Sequence, residues 1–266
     1  MIRNKTFYFL ITFIFFLAAC SSPDKTPKES EPDAPTANTI RDDVKKYPDS
    51  LQLVHDLIEA YRNEGQYDSA LSVTDRQILK DSGNAYLWNI KATLYFEIKD
   101  TVLAVKSLMK AIDIYPLPEY LVALGTIFAT TKNPNALLIS NELLAFNRNK
   151  SADDAYFIKG LYYNFTNAPK KAIVFLDSCL NLNYTYMYAY REKGIALYNL
   201  GKYDDAVLVL QRAVTLQNNY DEGYFWLGKC YEKLNQKENA IQSYQNALLF
   251  DKDFTEARQA LERLQK

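Results

Sequence analysis

Apolar residues recur along this chain at the spacing of one face of a helix. Tyr224, Leu227, Gly228 and Tyr231, for example, follow the i, i+3, i+4, i+7 pattern that places four residues on one helical face. Gly65 and Gly201 fall at breaks between such stretches, where glycine tolerates the backbone conformation that ends a helix. The pattern therefore predicts an all-helical chain of short helices joined by tight turns.

The helical pattern returns at a fixed interval. Gly160, Gly194 and Gly228 are 34 residues apart. Three further columns keep that interval: Tyr156, Tyr190 and Tyr224; Ala172, Ala206 and Ala240; and Cys179, Ala213 and Ala247. Extending the interval backwards places Trp88, Ala92, Tyr95, Ala104, Ala111 and Pro116 in matching positions. Several independent columns with one period predict a repeat architecture, in which stacked units share a continuous core.

These columns resemble the tetratricopeptide repeat, a helical hairpin with aromatic and small residues at set positions. The small residues, among them the glycine column, are expected to let the helices approach closely. The resemblance implies an all-α, right-handed α-solenoid of about six hairpins with a C-terminal capping helix. The implied divisions are a half-repeat helix at 39–50, repeats at 51–84, 85–118, 119–152, 153–186, 187–220 and 221–254, and the cap at 255–266. Repeat 119–152 is degenerate, because Gly125 and Ala136 are slightly out of register.

The resemblance also indicates which aromatic residues serve packing between helices. Ten tyrosines occupy its aromatic or turn-adjacent positions and are assigned to packing: Tyr61, Tyr67, Tyr95, Tyr156, Tyr163, Tyr190, Tyr203, Tyr224, Tyr231 and Tyr244. Thr39 and Asp42 have the spacing of a helix-capping pair. The acidic doublets at 153–154 and 204–205 are expected in the first turns of their helices, where carboxylates favour the helix dipole.

The N-terminal residues resemble a bacterial lipoprotein signal. Residues 1–19 carry a basic start and an apolar run too short for a membrane span, and Leu17, Ala18, Ala19 and Cys20 resemble a lipobox. We expect Cys20 to be acylated and to hold the protein at a membrane; an ordinary signal peptide is the alternative. Residues 20–38 contain four prolines and no large apolar residue, which predicts a disordered tether. Ser21, in place of aspartate, favours the outer membrane.

The composition offers little for catalysis. There are 31 basic and 32 acidic residues, so nucleic acid is not an expected partner, and His55 is the only histidine. No phosphate loop, dinucleotide fingerprint or metal-binding His or Cys pair is present, so we expect no enzyme activity, metal or cofactor. His55 is interpreted as a solvated or locally bonded side chain. Cys179 and Cys230 belong to separate repeats, so they are predicted to be buried thiols rather than a disulfide.

The repeat family lines an inner groove with certain positions of each first helix. Carried over by residue, the predicted groove comprises Tyr86, Asn89, Phe96, Phe157, Leu161, Asn164, Phe165, Tyr188, Arg191, Tyr198, Phe225 and Lys229. Such an aromatic surface is typical of a partner site, unless curvature or flanking helices bury the rings. The Lys/Asn clamp by which some repeat adaptors hold an acidic peptide terminus is not expected, because Arg191, Lys229 and Lys233 are too few and are interleaved with Glu222 and Glu232.

Together these features predict a scaffold or adaptor lipoprotein of the bacterial cell envelope. Its expected partners are a protein or peptide segment of another envelope protein and, through Cys20, the membrane. The alternative is a lipoprotein that binds a small ligand or glycan, since tyrosine-rich surfaces also stack on sugars.

Overall fold

The computed structural model describes residues 36–48, 50–146 and 148–265. Those residues form fourteen helices and no β-strand, which confirms the all-α class. The predicted signal segment, Cys20 and most of the predicted tether lie outside them. The helices are α1 (Ala37–Lys46), α2 (Leu51–Asn63), α3 (Tyr67–Lys80), α4 (Ala85–Glu97), α5 (Thr101–Ile114), α6 (Pro118–Thr130), α7 (Asn135–Phe146), α8 (Arg148–Phe165), α9 (Pro169–Leu182), α10 (Met187–Asn199), α11 (Tyr203–Leu216), α12 (Asp221–Lys233), α13 (Lys237–Phe250) and α14 (Thr255–Gln265).

The helices divide into two compact units, called here the N-terminal body (36–114) and the C-terminal body (115–265). In the N-terminal body α1 packs on the hairpin α2/α3, which packs on α4/α5. In the C-terminal body the hairpins α6/α7, α8/α9, α10/α11 and α12/α13 follow one another, and α14 packs on α13. The described residues therefore contain six hairpins, and a final helix lies where the cap was predicted.

The six hairpin turns share one backbone conformation. A residue with positive φ ends the first helix of each hairpin: Gly65, Lys99, Lys132, Asn167, Gly201 and Asn235, with φ between 58° and 76°. The next N–H donates to the carbonyl five residues earlier, as Lys202 does to Leu197 at 3.0 Å. This bond satisfies a carbonyl left free at the helix end. The predicted turn roles of Gly65 and Gly201 are confirmed.

Glycines of three first helices lie where the hairpin partner comes too close for a side chain. A Cβ on Gly194 would lie 2.5 Å from Leu210 Cγ, closer than real Cβ atoms approach other heavy atoms. Gly160 against Leu176 and Gly228 against Tyr244 repeat this contact, each at 2.6 Å. The glycine column of the sequence therefore records the closeness of the two helices of a hairpin.

The same ion pair joins consecutive hairpins in both bodies. Lys91 Nζ on α4 lies 2.6 Å from Asp75 on α3, and Lys193 on α10 lies 2.6 Å from Asp177 on α9. In each case a lysine of a first helix meets an aspartate of the preceding second helix. The hairpins of each body therefore stack in equivalent registers.

The first helix departs from the sequence prediction. It begins at Ala37, so the last residues of the predicted tether are helical, and the predicted capping pair does not form. Thr39 Oγ1 donates instead to the Thr36 carbonyl at 2.8 Å, and Asp42 pairs with Lys45. The N–H of Ala37 donates to Glu64 Oε1 at 2.8 Å. A carboxylate from the end of α2 therefore caps α1, which residues near Thr39 could not reveal.

The degenerate repeat departs most from its predicted bounds. Helix α8 starts at Arg148, five residues before the predicted boundary at 153, because no proline or glycine interrupts that stretch. The carboxylates of Asp153 and Asp154 consequently lie in the second helical turn, so the prediction of their position was wrong. Asp204 and Asp205 do lie in the first turn of α11, as predicted.

Candidate partner-binding site

The predicted groove positions of the N-terminal body form a small, partly exposed surface. The ring of Tyr86 is 48% exposed and stacks on His55 with centroids 6.0 Å apart. Asn89 and Phe96 are half-buried on the same helix. His55 Nδ1 also lies 3.7 Å from Asp56 Oδ1, which agrees with its interpretation as a locally bonded side chain.

Two predicted groove residues of α8 are buried, so the structure removes them from the groove. Phe157 is 1% exposed and Leu161 3% exposed. The Phe157 ring stacks on Tyr186 with centroids 5.0 Å apart. Helix α8 is longer than the other first helices and packs on α6, α7, α9 and α10, which leaves these side chains no open surface. Phe165, at the end of α8, is half-buried.

Two polar groove residues are occupied by contacts within the protein. Arg191 pairs with Glu192 at 2.9 Å and also with Glu222, and its guanidinium lies over the Tyr188 ring. Asn164 Nδ2 donates to the Glu192 carbonyl at 2.9 Å and to its carboxylate at 3.0 Å. The side chains of Arg191 and Glu192 are 18% and 6% exposed. This network joins α8, α10 and α12, and its single cation is neutralised by two carboxylates.

The remaining predicted residues meet at the end of the C-terminal body. Lys229 Nζ lies 4.0 Å from the Trp226 ring centroid, 5.1 Å from that of Tyr198 and 5.7 Å from that of Phe225. Phe225 and Trp226 precede Lys229 by four and three residues, so all three share one face of α12, while Tyr198 comes from α10. Burial lowers the pKa of Lys229. We call these four residues the aromatic–lysine cluster.

A cavity of about 260 Å³ adjoins the cluster and is called here the terminal cavity. It is lined by Tyr198, Lys229, Glu232, Lys233 and Arg263. Glu232 accepts a hydrogen bond from the Tyr244 hydroxyl at 2.5 Å and two from Arg263 Nη2 at 2.6 and 2.7 Å. Three cationic side chains thus surround one carboxylate whose oxygens already have partners.

Sequence reasoning found only part of this site. It predicted Tyr198, Phe225 and Lys229, and it missed Trp226, although that residue lies one helical turn before Lys229. It also gave Arg263 no role, because the amphipathic pattern of α14 indicates which residues face the core but not where a long polar side chain reaches. Glu222 and Glu232 do lie among the cations, as the sequence indicated: Glu222 pairs with Arg191, and Glu232 binds Tyr244 and Arg263.

The described residues show no arrangement suited to catalysis. Among them no group of three or more His, Cys, Asp or Glu side chains is placed to hold a metal ion. Cys179 and Cys230 are both free and buried, as predicted, and burial raises the pKa of the Cys230 thiol to about 12. A thiol with so high a pKa is a poor nucleophile near neutral pH. Over the same described residues, no helix combines the length and apolar character that a membrane crossing requires.

One partly buried carboxyl, that of Asp154, has an unusual pKa. The pKa of Asp154 is raised to about 6, mainly by burial and to a smaller extent by the carboxylates of Asp153 and Glu119, while a hydrogen bond from the Tyr186 hydroxyl at 2.9 Å acts in the opposite direction. Asp153 accepts a separate bond from Asn183 Nδ2 at 2.9 Å. The buried thiol of Cys179 lies close enough that Asp153 and Asp154 both raise its pKa. The raised pKa of Asp154 bears on the pH dependence of stability.

Comparison with known families agrees with the repeat geometry. Sequence profiles described as TPR repeat and tetratricopeptide repeat match residues 194–235, 221–254 and 85–116. The chain contains tetratricopeptide repeats at these residues. The profiles fall on α4/α5 in the N-terminal body and on the helices from α10 to α13 in the C-terminal body.

Solved structures show the same fold as this chain. A tetratricopeptide repeat protein from Parabacteroides merdae has a TM-score of 0.72 and 16% identity, over 86% of this chain and 91% of that one. PilW, described as a widely conserved type IV pilus biogenesis factor, has a TM-score of 0.62 and 17% identity, over 81% of this chain and 98% of that one. At such identities the similarity concerns the fold alone.

Similarity to curated proteins is limited to part of each chain. A TPR repeat-containing protein of Methanocaldococcus jannaschii is 29% identical over 102 residues, which are 38% of this chain and 32% of that protein. A second protein of that organism is 26% identical over 113 residues, or 42% of this chain and 19% of its own length. The matched regions therefore span less than a third of either relative.

Proposed function

We propose that this protein is a scaffold of the bacterial cell envelope that binds a protein partner at the aromatic–lysine cluster and the terminal cavity. The observation that carries the proposal is the pairing of half-buried aromatic rings with two lysines, Lys229 and Lys233, that form no ion pair with a carboxylate of the described residues. Elsewhere along the predicted groove of the C-terminal body, Phe157 and Leu161 are buried, and Asn164 and Arg191 are bonded within the protein. The cluster and cavity combine partly exposed rings with lysines that have no paired carboxylate, which favours contact with a partner.

The residue types of the cluster support binding rather than structure alone. Tyrosine, tryptophan and arginine are the residues that most often dominate protein interfaces, and the two aromatic residues offer large contact area at little cost in conformational freedom. Tyr198 and Trp226 are half-buried, so each still presents part of its ring to solvent. The repeat fold supports the same class of function, since its stacked helices form extended surfaces for binding other proteins.

The envelope location rests on the N-terminal sequence. The lipobox-like residues Leu17 to Cys20 follow a signal-like segment, and acylation of Cys20 would anchor the protein behind a proline-rich tether. The test is fractionation of cells of the source organism that express the whole chain as Cys20 or as Cys20→Ser. We expect the first in the membrane fraction and the second in the soluble fraction. A Cys20→Ser protein that stays with the membrane would contradict the lipid anchor.

Site-specific crosslinking tests the binding site directly. A photoreactive amino acid, p-benzoylphenylalanine, replaces Lys233 at the cavity rim in cells of the source organism. The matched control carries it at Tyr184, which is 69% exposed and lies between α9 and α10, outside the cluster. We expect a discrete crosslinked partner from position 233 and none from position 184.

A second variant connects the crosslink to the cluster. Tyr198→Ala removes a ring that lines the cavity and should reduce the position 233 crosslink about tenfold, whereas Tyr184→Ala should leave it unchanged. Circular dichroism and unfolding of both variants check that the fold is kept. Equal crosslinking in the two variants, with both folded, would show that the partner does not use the cluster.

A further inference from the structure

Three exposed apolar side chains lie at equivalent positions of consecutive hairpins in the C-terminal body. Each follows by two residues an alanine that is fully buried near the start of a second helix: Leu138 on α7, Val174 on α9 and Leu208 on α11. Residues two apart on a helix lie about 200° apart around its axis, so these side chains point away from the core. They are 65%, 60% and 68% exposed, and we call them the outer row.

The outer row is confined to three of the six hairpins. The same position, two residues after the buried alanine, holds Ser72 in the first hairpin, Lys106 in the second and Gln242 in the sixth. Polar residues are ordinary on the solvated side of a helix. The leucines and valine of the other three hairpins therefore form a local apolar surface, which on a protein exterior often marks a contact site.

Basic side chains flank the outer row. Lys170 and Lys171 precede Val174 by four and three residues, so they share its face of α9. Arg212 follows Leu208 by four residues on α11. All three cations are exposed, and none forms an ion pair with a carboxylate of the described residues.

Carboxylates offset the charge of α7 and α11 but not that of α9. Glu142 lies on α7, and Asp204 and Asp205 lie on α11. The carboxylate on α9 is that of Asp177, which is paired with Lys193 at 2.6 Å. The positive charge without a paired carboxylate is therefore centred on the start of α9.

An apolar cavity of about 250 Å³ lies at that same point. It is lined by Ala168, Pro169, Lys170, Lys171 and Leu200. Leu200 belongs to the turn between α10 and α11, so the cavity joins two neighbouring hairpin turns. An apolar recess beside two exposed amines suits an amphipathic occupant that carries negative charge.

We propose that this outer face of α7, α9 and α11 docks on the surface of an anionic lipid bilayer. The outer row enters the headgroup region, and Lys170 and Lys171 contact lipid phosphates. The inference rests on the membrane anchor of the proposed function, because the anchor holds the bilayer near this face and raises its effective concentration. A weak contact is then sufficient, and its result is to orient the C-terminal body on the membrane.

The residue types favour a bilayer over a protein partner. Leucine and valine are under-represented among the residues that dominate protein interfaces, and lysine is depleted there. At a bilayer, apolar side chains enter the boundary between headgroups and acyl chains, while long lysine side chains reach the phosphates. Nucleic acid also offers phosphates, but it has no apolar layer to receive the outer row.

A fluorescent probe on the outer row tests the docking in the whole protein. Val174→Cys provides a surface thiol for the environment-sensitive fluorophore NBD. Cys179 and Cys230 are buried and burial raises their thiol pKa values, while acylation blocks the thiol of Cys20, so labelling favours position 174.

The labelled protein is isolated from membranes of the source organism and reconstituted in two kinds of vesicle. One kind is phosphatidylcholine alone and the other includes the anionic lipid phosphatidylglycerol; both contain a lipid with a quencher on its acyl chain. We expect quenching in the anionic vesicles that weakens as salt is added, and little quenching in the neutral ones. The matched control carries the probe at Tyr184→Cys, an exposed position beyond the other end of α9, where we expect little quenching in either.

Paired substitutions locate the contact. Lys170→Gln with Lys171→Gln should lower the ratio of docked to undocked protein, taken from the quenching, about 30-fold, because each basic residue near an anionic surface contributes about fivefold. The matched control, Lys252→Gln with Arg258→Gln, removes two exposed positive charges near the start of α14 and should leave that ratio unchanged. Circular dichroism and unfolding check that both double variants keep the fold.

Several results would overturn the inference. These are equal quenching in neutral and anionic vesicles, quenching at position 184 as strong as at position 174, or a control pair that weakens quenching as much as the α9 pair. A blue shift of the position 174 probe that grows with protein concentration in detergent, without vesicles, would instead assign the outer row to a second copy of the chain.

Flotation of the same samples distinguishes docking from anchoring. Protein that floats with both kinds of vesicle but shows no quenching at position 174 keeps the anchor and rejects the docking. Protein that floats only with anionic vesicles, and is quenched there, rejects the anchor and keeps the docking.

Discussion

Each body has a group of charged side chains, and the two groups differ in whether the positive charge is neutralised and buried. In the N-terminal body Arg62 donates to Glu97 at 2.5 and 2.8 Å and to Glu59 at 2.9 Å, so two carboxylates neutralise one guanidinium. The side chains of Arg62 and Glu97 are 9% and 6% exposed. In the C-terminal body, Lys229, Lys233 and Arg263 surround the single carboxylate of Glu232, and Arg263 is 63% exposed.

The difference separates a structural ion pair from a binding surface. A buried pair keeps its charges satisfied and joins two helices, so losing one partner leaves an uncompensated charge in the interior. Removing an exposed cation such as Lys233 costs little stability, because water already solvates its charge. Sequence alone does not distinguish the two cases, since both consist of basic and acidic residues on first helices and their neighbours.

The largest expected effect comes from breaking the buried pair. Arg62→Met leaves the Glu97 carboxylate buried beside an apolar side chain, which we expect to lower the free energy of unfolding by about 3–5 kcal/mol. Urea unfolding followed by circular dichroism measures the loss. Adding Glu97→Leu should recover most of it, because the double variant leaves no unpaired buried charge. A loss below about 1 kcal/mol would show that water reaches the pair.

Substituting Asp154, a partly buried carboxyl, should raise the free energy of unfolding, whereas breaking the Arg62–Glu97 pair lowers it. The pKa of Asp154 is raised to about 6, so the folded state binds its proton more tightly than the unfolded chain does. The resulting stability is present below about pH 4 and is lost as the pH rises through about 6. Asp154→Asn keeps an acceptor for Tyr186 and should raise stability above about pH 6 by up to about 3 kcal/mol.

Unfolding measured at a series of pH values distinguishes the pH-dependent effect of Asp154 from a change in stability that is the same at every pH. The matched control is Asp204→Asn, an exposed position on α11, which should change stability by less than about 0.5 kcal/mol at every pH. The Asp154→Asn protein should also lose the decline in stability between about pH 4 and 7. If that decline persists unchanged, another group causes it.

A smaller gain is expected at a turn of the N-terminal body. Lys99 is exposed and has φ +68°, whereas the equivalent turn residue of the C-terminal body is Gly201 with φ +76°. Glycine adopts positive φ without the steric cost that lysine meets, so Lys99→Gly should stabilise the protein by about 1 kcal/mol. The reverse change, Gly201→Lys, should cost a similar amount. Thermal or urea unfolding of both variants provides the measurement.

The smallest effect tests the comparison most sharply. Lys233→Met makes the same kind of change as Arg62→Met, a cation replaced by an apolar side chain, at the exposed cluster. We expect a change in unfolding free energy within about 0.5 kcal/mol, because no buried carboxylate is left behind. A cost as large as that of Arg62→Met would remove the distinction between the two clusters.

Local features of the fold were predictable from the sequence to different degrees. The glycine column at 160, 194 and 228 correctly indicated a close approach, since only a missing side chain fits against Leu176, Leu210 and Tyr244. The turns at Lys99 and Lys132 gave no such signal, because the tertiary structure imposes positive φ on ordinary residues there. The start of helix α8 was predicted wrongly, because the 34-residue period places a repeat boundary at 153, within a stretch that has no helix-ending residue.

The candidate site was predictable only where it follows the helical period. Phe225 and Lys229 share a face of α12, and Tyr198 occupies a repeat position on α10, so all three could be named from the sequence. Phe157 and Leu161 satisfied the same rule and are buried, because the rule describes a helix face and not what packs on it.

The sequence by itself determined the helical class, the 34-residue period and the close contacts within hairpins, because these depend on residues near one another along the chain. Only the tertiary structure decided which charges are neutralised. Arg62 meets Glu97 across 35 residues, and Arg263 meets Glu232 across 31, through contacts between separate helices. Whether a cation is buried with partners or exposed beside a cavity depends on how those helices pack, and this difference distinguishes the structural pair from the proposed binding site.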